Sequence, residues 1–361
     1  MNMSRRTFVS VAGTALAGVI ISGCAENLSQ EASPESGSQG DHPTSLEMNG
    51  IDYLVLVNKQ HKLPDGWEDA VDIVSFKNSE DWDVDVEASS YDAYLALKKE
   101  LEAEDGIYID LDSAYRSVAD QQRIVDEFTD KYGAEYVKKY VAVPGYSEHH
   151  TGLALDLFLI IDGQGVYENE DMVTYPEIWD KIHARLADHG FILRYLPKKK
   201  IFTGYSYEPW HIRYVYDPNI AREIMDEGIT FEEYLGEVDP TVAGCEVDYG
   251  SSKIYEEPDM DAALEEILNE FSTWTGCTMK RFAYAGDEAT KQNLDYVNSL
   301  RDEDTDEFDQ AIVFLTDFHS PSKEQSEGTA WEPDTDYEDY EWYLGRTGTD
   351  GAWKLLTWGW G

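Results

Sequence analysis

The chain has 361 residues, 73 of them acidic and 28 basic, for a formal charge of −45. A surface this acidic repels phosphate backbones and anionic headgroups, which argues against nucleic-acid partners and leaves membrane contact to an anchor. The length suits two domains rather than one, and 42% hydrophobic residues, with 13% aromatic overall, are enough to bury real cores. The acidic residues are spread along the chain, as on a solubilising surface.

Residues Ser4–Phe8 read SRRTF, and an apolar run follows from Phe8 to Gly23. At about 16 residues it is short of the roughly 20 that a spanning helix needs. It ends in ISGC, small residues before Cys24. The pattern resembles a twin-arginine export signal joined to a bacterial lipoprotein cleavage box. The resemblance implies that Cys24 is the lipidated first residue of an extracytoplasmic protein held to the membrane by that lipid alone. An uncleaved membrane anchor is the alternative, and it places the remainder outside the cytoplasm too. Residues 25–47 are rich in Ser, Glu, Gly and Pro and read as a disordered tether. With Cys24 carrying lipid, Cys245 and Cys277 remain and could form one disulfide outside the cell. No Cys-x-x-Cys pair exists, so a thiolate zinc site is not expected.

Order is expected from residue 48. IDYLVLVNK, starting at Ile51, is β-branched and aromatic and reads as a strand. Ser90–Asp105 has helical apolar spacing at Tyr94, Leu95, Leu97 and Leu101, with Ser90 as its N-cap. IYIDLDSAYRS reads as a strand entering a polar turn, and VADQQRIVDEFTDKYG as an amphipathic helix ending at Gly133. Gly152–Ile160 is a strand, Pro176–Gly190 a third helix, and PWHIRYVY another strand. Helices and short strands alternate only loosely, so residues 48–236 read as mixed α+β. Residues 237–250 read as a linker. In 251–361 one helix places Met260, Ala263, Leu264, Ile267, Leu268 and Phe271 on one face. Three strand-like runs follow, the last a hairpin around GTDG, which predicts a helix on a curved antiparallel sheet.

The chemistry concentrates in two stretches. GYSEHHTGLALD, Gly145–Asp156, offers His149, His150 and Asp156. EPWHIRYV, Glu208–Val215, offers Glu208 and His211. Hydrolytic zinc commonly takes three nitrogen or oxygen side chains and keeps a position for water. A histidine in a turn, Asp156 on a strand and His211 on a second strand would complete such a set. Asp156 in so apolar a strand needs a partner, because an unpaired carboxylate there is costly. A glutamate beside the site, here Glu208, can take a proton from water during attack on a carbonyl and pass it to the leaving amine. Residues three apart on a straight strand face opposite sides, so Pro209 is expected to turn Glu208 back towards the site, with Trp210 on the core side.

Ser-x-His-x-x-Gly-x-Ala-x-Asp followed by Glu-x-Trp-His is similar to the signature of the VanY-type zinc D-alanyl-D-alanine carboxypeptidases. SEHHTGLALD and EPWH match it throughout, and SAYRS supplies the family's arginine, Arg116, with Gln121 five residues on. TGYSYEPWHIRYV and GFILRY also look familial. The resemblance covers roughly residues 50–230. It implies an antiparallel-sheet, Hedgehog/D,D-peptidase-like α+β domain. It further implies zinc on His149, Asp156 and His211, Glu208 as catalytic base, and Arg116 on the peptide's carboxylate or carbonyl oxygen. His150 could replace His149 chemically, and the motif register selects His149. Gln121 is either a substrate contact or a helix-surface residue. Ser147 either binds substrate or caps the turn. Arg194, Tyr195 and Tyr207 could line the pocket, with ordinary packing as the simpler reading. His183, His189 and His319 are assigned nothing. Residues 251–361 weakly resemble small cystatin-like or NTF2-like accessory domains.

The expected function is removal of the C-terminal D-alanine from peptidoglycan stem peptides by a monomer. The alternatives are an L,D-carboxypeptidase or endopeptidase on the same polymer, and a wall-binding or sensor lipoprotein without catalysis. Intact Glu208 argues against the last.

Overall fold

The computed structural model describes residues 42–133, 137, 141–301, 306–325, 331–349 and 351–360. The export signal, Cys24 and most of the tether expected over 25–47 lie outside them. Among the described residues no helix is long and apolar enough to cross a membrane.

The first half is an α+β unit around an antiparallel sheet. The strands Tyr108–Ser113, Ala154–Ile161, Glu208–Tyr214 and Phe191–Tyr195 lie in that order, with Gln164–Val166 added beside Ala154–Ile161. Residues Ala154–Leu159 are all buried, as a near-continuous apolar run in a central strand requires. The helices Ala88–Glu100 and Pro176–Leu186 add Tyr94, Leu97, Trp179, Ile182 and Leu186 to the main core. A smaller core joins Ile192 and Val215 to Ile220, Ile224, Phe231 and Tyr234 of the helices Pro218–Glu227 and Phe231–Leu235. A separate hairpin, Ile73–Lys77 with Asp83–Glu87, feeds directly into the Ala88–Glu100 helix.

Two local expectations are corrected. The IDYLVLVNK run pairs as a strand only at Ile51–Asp52. Beyond it the carbonyls of Tyr53 and Val55 accept hydrogen bonds from the Arg213 guanidinium, at 3.0 and 2.9 Å, in place of a ladder partner. Ser90 lies inside its helix, whose start is capped by Glu87 accepting from the Ser90 N–H at 2.7 Å. The expected start of the next helix holds: Ser117 accepts from the Asp120 N–H at 3.0 Å, and Val118–Tyr132 ends at Gly133.

The second half is a five-stranded sheet in chain order: Glu246–Asp248, Thr278–Tyr284, Gln310–His319, Asp336–Arg346 and Lys354–Gly359. The first pair is parallel, so the sheet is mixed rather than wholly antiparallel. Its connection is long enough to hold the Glu257–Phe271 helix, as a parallel crossover demands. Met260, Ala263, Leu264, Ile267 and Phe271 are buried on the sheet, with Leu268 at the margin. Cys245 and Cys277 are both buried and unpaired. Glu246 pairs with Arg281, which sets Cys277 several residues out of register with Cys245, and no disulfide forms.

The halves interlock at the short helix Lys200–Thr203. Ile201 and Phe202 pack into the second core, and Lys200 pairs with Glu265 at 3.4 Å.

Candidate metal and catalytic site

The site forms where the Ala154–Ile161 and Glu208–Tyr214 strands pair and a short helical turn, Glu148–Thr151, precedes the first of them. Asp156 and His211 are register partners. The turn closes on Gly152 at φ +73°, where a Cβ would stand 3.2 Å from the Glu87 Cβ and 3.1 Å from the Ile73 Cδ1. Glycine alone fits this left-handed position without strain. It reverses the chain so that His149 faces Asp156.

His149 Nδ1 donates to the Ala114 carbonyl at 2.7 Å, which leaves Nε2 against Asp156 Oδ2 at 3.1 Å. His211 Nε2 lies 3.0 Å from Glu148 Oε2, and its Nδ1 stands 3.0 Å from Asp156 Oδ1. Neither His211 Nδ1 nor Asp156 Oδ1 makes a hydrogen bond, although both are buried. Two buried polar atoms that converge without bonding fit a shared cation better than a protein pair. One nitrogen or oxygen from each of His149, Asp156 and His211 lies within 4.8 Å of the others. Two imidazoles and one carboxylate are a zinc-type donor set with room for a further ligand.

Glu208 is on the same side, its Oε2 3.8 Å from His211 Nδ1. A bulge explains how. Leu193 pairs with Ile212 and Tyr195 with Glu208, so the Glu208–Tyr214 strand carries extra residues between those pairs. Pro209 sits in the bulge, where its missing N–H costs no ladder bond, and its carbonyl contacts His183 Nε2 at 2.9 Å. Trp210 packs into the main core.

Burial pushes the Glu208 carboxyl up to about 8; Asp156 and Glu148 add to this, and His211 opposes it. Burial would lower the His211 imidazole, but Asp156 and Glu148 outweigh it and raise it to about 10. Burial would raise Asp156, yet His149 and His211 hold it well below the usual carboxylate range. Burial and the neighbouring carboxylates thus favour a positive charge beside Asp156, the place a cation would take.

Arg116 lines the same region. Its Nη1 donates to Gln121 Oε1 at 3.0 Å and its Nη2 to Ser113 Oγ at 3.3 Å. Gln121 is buried and also donates to the Ala142 carbonyl at 2.8 Å, so it braces Arg116 rather than lying on a helix surface. Ser147 holds the N-cap position of the Glu148–Thr151 turn but makes no side-chain capping bond. His150 points away from the carboxylates. Its Nδ1 donates to the Arg116 carbonyl at 2.6 Å and its Nε2 accepts from the Gly145 N–H at 3.0 Å. Burial pushes it down to about 4, in keeping with this neutral bracing role.

Tyr195 lies with its ring 4.8 Å from that of His211, stacked at 4.6 Å on Tyr205. Tyr207 is partly buried against the main core. Arg194 is fully buried beneath the site in an ion network with Glu148, Arg213 and Glu232. Sequence reasoning left Glu148, Arg213 and Glu232 unassigned. FILRY and WHIRY each set an arginine inside an apolar strand, and such a charge requires a buried acid partner.

The family model described as VanY, D-alanyl-D-alanine carboxypeptidase, matches residues 83–217, which hold both motif stretches and Arg116. A D-alanyl-D-alanine carboxypeptidase of Enterococcus faecalis is 33% identical over 222 residues, 59% of this chain and 74% of that protein. The bifunctional D-Ala-D-Ala dipeptidase and carboxypeptidase VanXYC of Enterococcus gallinarum is 33% identical over 189 residues, 51% of this chain and 94% of that protein. A vancomycin-resistance D,D-pentapeptidase VanY solved with Zn(II) is 33% identical and covers 51% of this chain and 98% of its own, with a TM-score of 0.41. Because the family model spans the segment that gathers His149, Asp156, Glu208 and His211, and both carboxypeptidase relatives are 33% identical over 74% and 94% of their own length, the chain belongs to the VanY family of D-alanyl-D-alanine carboxypeptidases.

Proposed function

We propose that this chain is a zinc carboxypeptidase that removes the C-terminal D-alanine from peptidoglycan stem peptides. The observation that carries the reading is the convergence of His149, Asp156 and His211 on one point with Glu208 beside it. His149 Nε2, Asp156 and His211 Nδ1 would hold the zinc. Bound there, zinc supplies a Lewis acid that polarises the scissile carbonyl and makes water more acidic. Glu208 takes a proton from the attacking water and returns it to the amine nitrogen as the C–N bond breaks. Arg116, braced by Gln121 and Ser113, presents its guanidinium to the substrate's carboxylate or carbonyl oxygen. Ser147, buried at the turn that carries His149, completes the substrate wall.

The N-terminal SRRTF and ISGC patterns support export by the twin-arginine route and lipid anchoring through Cys24. Radiolabelled fatty acid should enter the wild type and not the Cys24→Ala variant. The helix-on-sheet arrangement of the second half supports a cystatin-like or NTF2-like accessory module, and the working unit is a monomer; sedimentation of the tether-free protein tests the latter.

The reaction is tested by mass spectrometry of defined muropeptides incubated with tether-free protein and zinc, against a chelated control. Loss of one alanine from the pentapeptide alone is the expected result. Loss from the tetrapeptide would assign an L,D-carboxypeptidase. No zinc-dependent mass change in either would reject the carboxypeptidase reading.

A further inference from the structure

We propose that Glu148 is a positioning residue that sets which ring nitrogen of His211 faces the metal. The inference rests on the zinc-peptidase reading above and concerns a residue that no part of that mechanism uses.

Three hydrogen-bond partners converge on the Glu148 carboxylate. Its Oε1 accepts from Arg194 Nε at 2.8 Å and from Arg213 Nη1 at 2.9 Å. Its Oε2 faces His211 Nε2 at 3.0 Å. The Glu148 side chain is 1% exposed and both guanidiniums are fully buried. Arg194 also makes a two-pronged contact with Glu232 at 2.9 and 2.7 Å, and Arg213 donates to the carbonyls of Tyr53, Val55 and Tyr214. Two arginines and two glutamates balance in charge. A carboxylate held between two guanidiniums only accepts hydrogen bonds. His211 Nε2 therefore carries the hydrogen, and Nδ1 is the nitrogen left to ligate.

That assignment agrees with the other face of the ring. His211 Nδ1 is the atom that stands 3.0 Å from Asp156 Oδ1 without a hydrogen bond. The two histidines thus use opposite nitrogens, each fixed from behind by a different partner. His149 is held by the neutral Ala114 carbonyl, and His211 by a buried anion. An anionic partner both orients a ligating imidazole and raises its basicity. With its oxygens already engaged, Glu148 acts through His211 and is not itself a ligand.

Glu148→Gln is the informative variant. Its amide oxygen would turn to the two guanidiniums and its NH2 to His211 Nε2, so that a donor meets a donor. Zinc affinity, measured by competition with a chromophoric chelator, is expected to fall about 10–100-fold. Long-range 1H–15N correlation on zinc-loaded, 15N-histidine-labelled wild type provides a readout that needs no variant. It is expected to place zinc on His211 Nδ1 and a slowly exchanging hydrogen on Nε2. Zinc on His211 Nε2 would overturn the proposal, as would unchanged zinc affinity in a folded Glu148→Gln protein. These signatures read metal geometry without turnover. Their presence in a protein inactive on muropeptides would support the positioning role while rejecting the assigned reaction.

Discussion

The sheet that carries His211 buries Glu148, Asp156, Arg194 and Arg213, whereas the sheet of the second half buries Phe282, Phe314 and Trp342 against Phe271. Phe282 and Phe314 stack at 4.5 Å and Trp274 on Trp342 at 5.0 Å, so the second core gains cohesion from ring packing. Two of its buried charged groups are met in simple pairs: Asp261 accepts from the Tyr249 hydroxyl at 2.7 Å, and Arg346 pairs with Asp259 at 2.7 Å at the margin. In the first half the buried charges form a connected network that reaches the His211 imidazole of the candidate metal site. Replacing such ions with apolar side chains is often neutral or stabilising, so their burial is poorly explained by stability. The contrast shows that a hydrophobic interior suffices for folding, and that interior charge here marks the place where geometry is held for chemistry.

The largest test of this contrast is Glu208→Gln. It should lower turnover about 10²–10⁴-fold while zinc binds at unchanged stoichiometry, read by metal analysis and muropeptide assay. Loss of zinc together with activity would make Glu208 part of the metal site instead. Next come two deletions of similar cost in the two cores. Glu232→Ala leaves both Nη groups of the buried Arg194 without their carboxylate and should destabilise by about 3–5 kcal/mol. Trp342→Ala leaves a cavity in the aromatic core and should also cost about 3–5 kcal/mol. Urea unfolding measures both. Only Glu232→Ala is expected to weaken zinc binding as well, and equal weakening by Trp342→Ala would erase the distinction.

Gly152→Ala tests the turn that aims His149. The added methyl meets Glu87 and Ile73 at a left-handed position, and about 1–3 kcal/mol of stability should be lost. The smallest expected effect concerns pH. Burial holds the His183 imidazole below its ordinary value, against the contact with the Pro209 carbonyl. Below about pH 6.5 the unfolded chain binds a proton that folded His183 resists. The unfolded state then carries more protons, so stability falls as pH drops through that window. Denaturation midpoints between pH 7 and 5 should show the slope, and His183→Gln should flatten it.

Much of the site is legible in the sequence because His149 and Asp156 share one short stretch and Glu208 and His211 another. Local spacing carries their relation, and strand pairing then brings the two stretches together. The ion network is not legible in this way. Glu148 lies far along the chain from Arg194, Arg213 and Glu232; the apolar strands around the two arginines call for buried acids, but nothing local says which acids answer. The IDYLVLVNK run misleads because β-propensity reports on half-buried side chains and is silent on what the backbone bonds to. Its carbonyls are taken by Arg213. Similarly, the alternating DVDVE of Asp83–Glu87 contains a strand that acidic composition disguises. The hydrophobic face of the Glu257–Phe271 helix is read correctly because its 3.6-residue period is unbroken. The parallel pairing of Glu246–Asp248 is set by a distant strand and leaves no local mark.

The interlock at Lys200–Thr203 bears on how this chain can be cut. The apparent linker at 237–250 invites truncation there, as if the first half ended where its last helix does. In space the seam runs elsewhere. Ile201 and Phe202 belong to the first half by sequence and to the second by packing, and the Lys198 N–H bonds to Glu257 across the same seam. Five residues, Thr203–Tyr207, separate Phe202 from Glu208, where the strand begins. A protein shortened after residue 236 would uncover that strap and loosen one end of the Glu208–Tyr214 strand, so the folding unit that holds Glu208 extends to the C-terminal sheet.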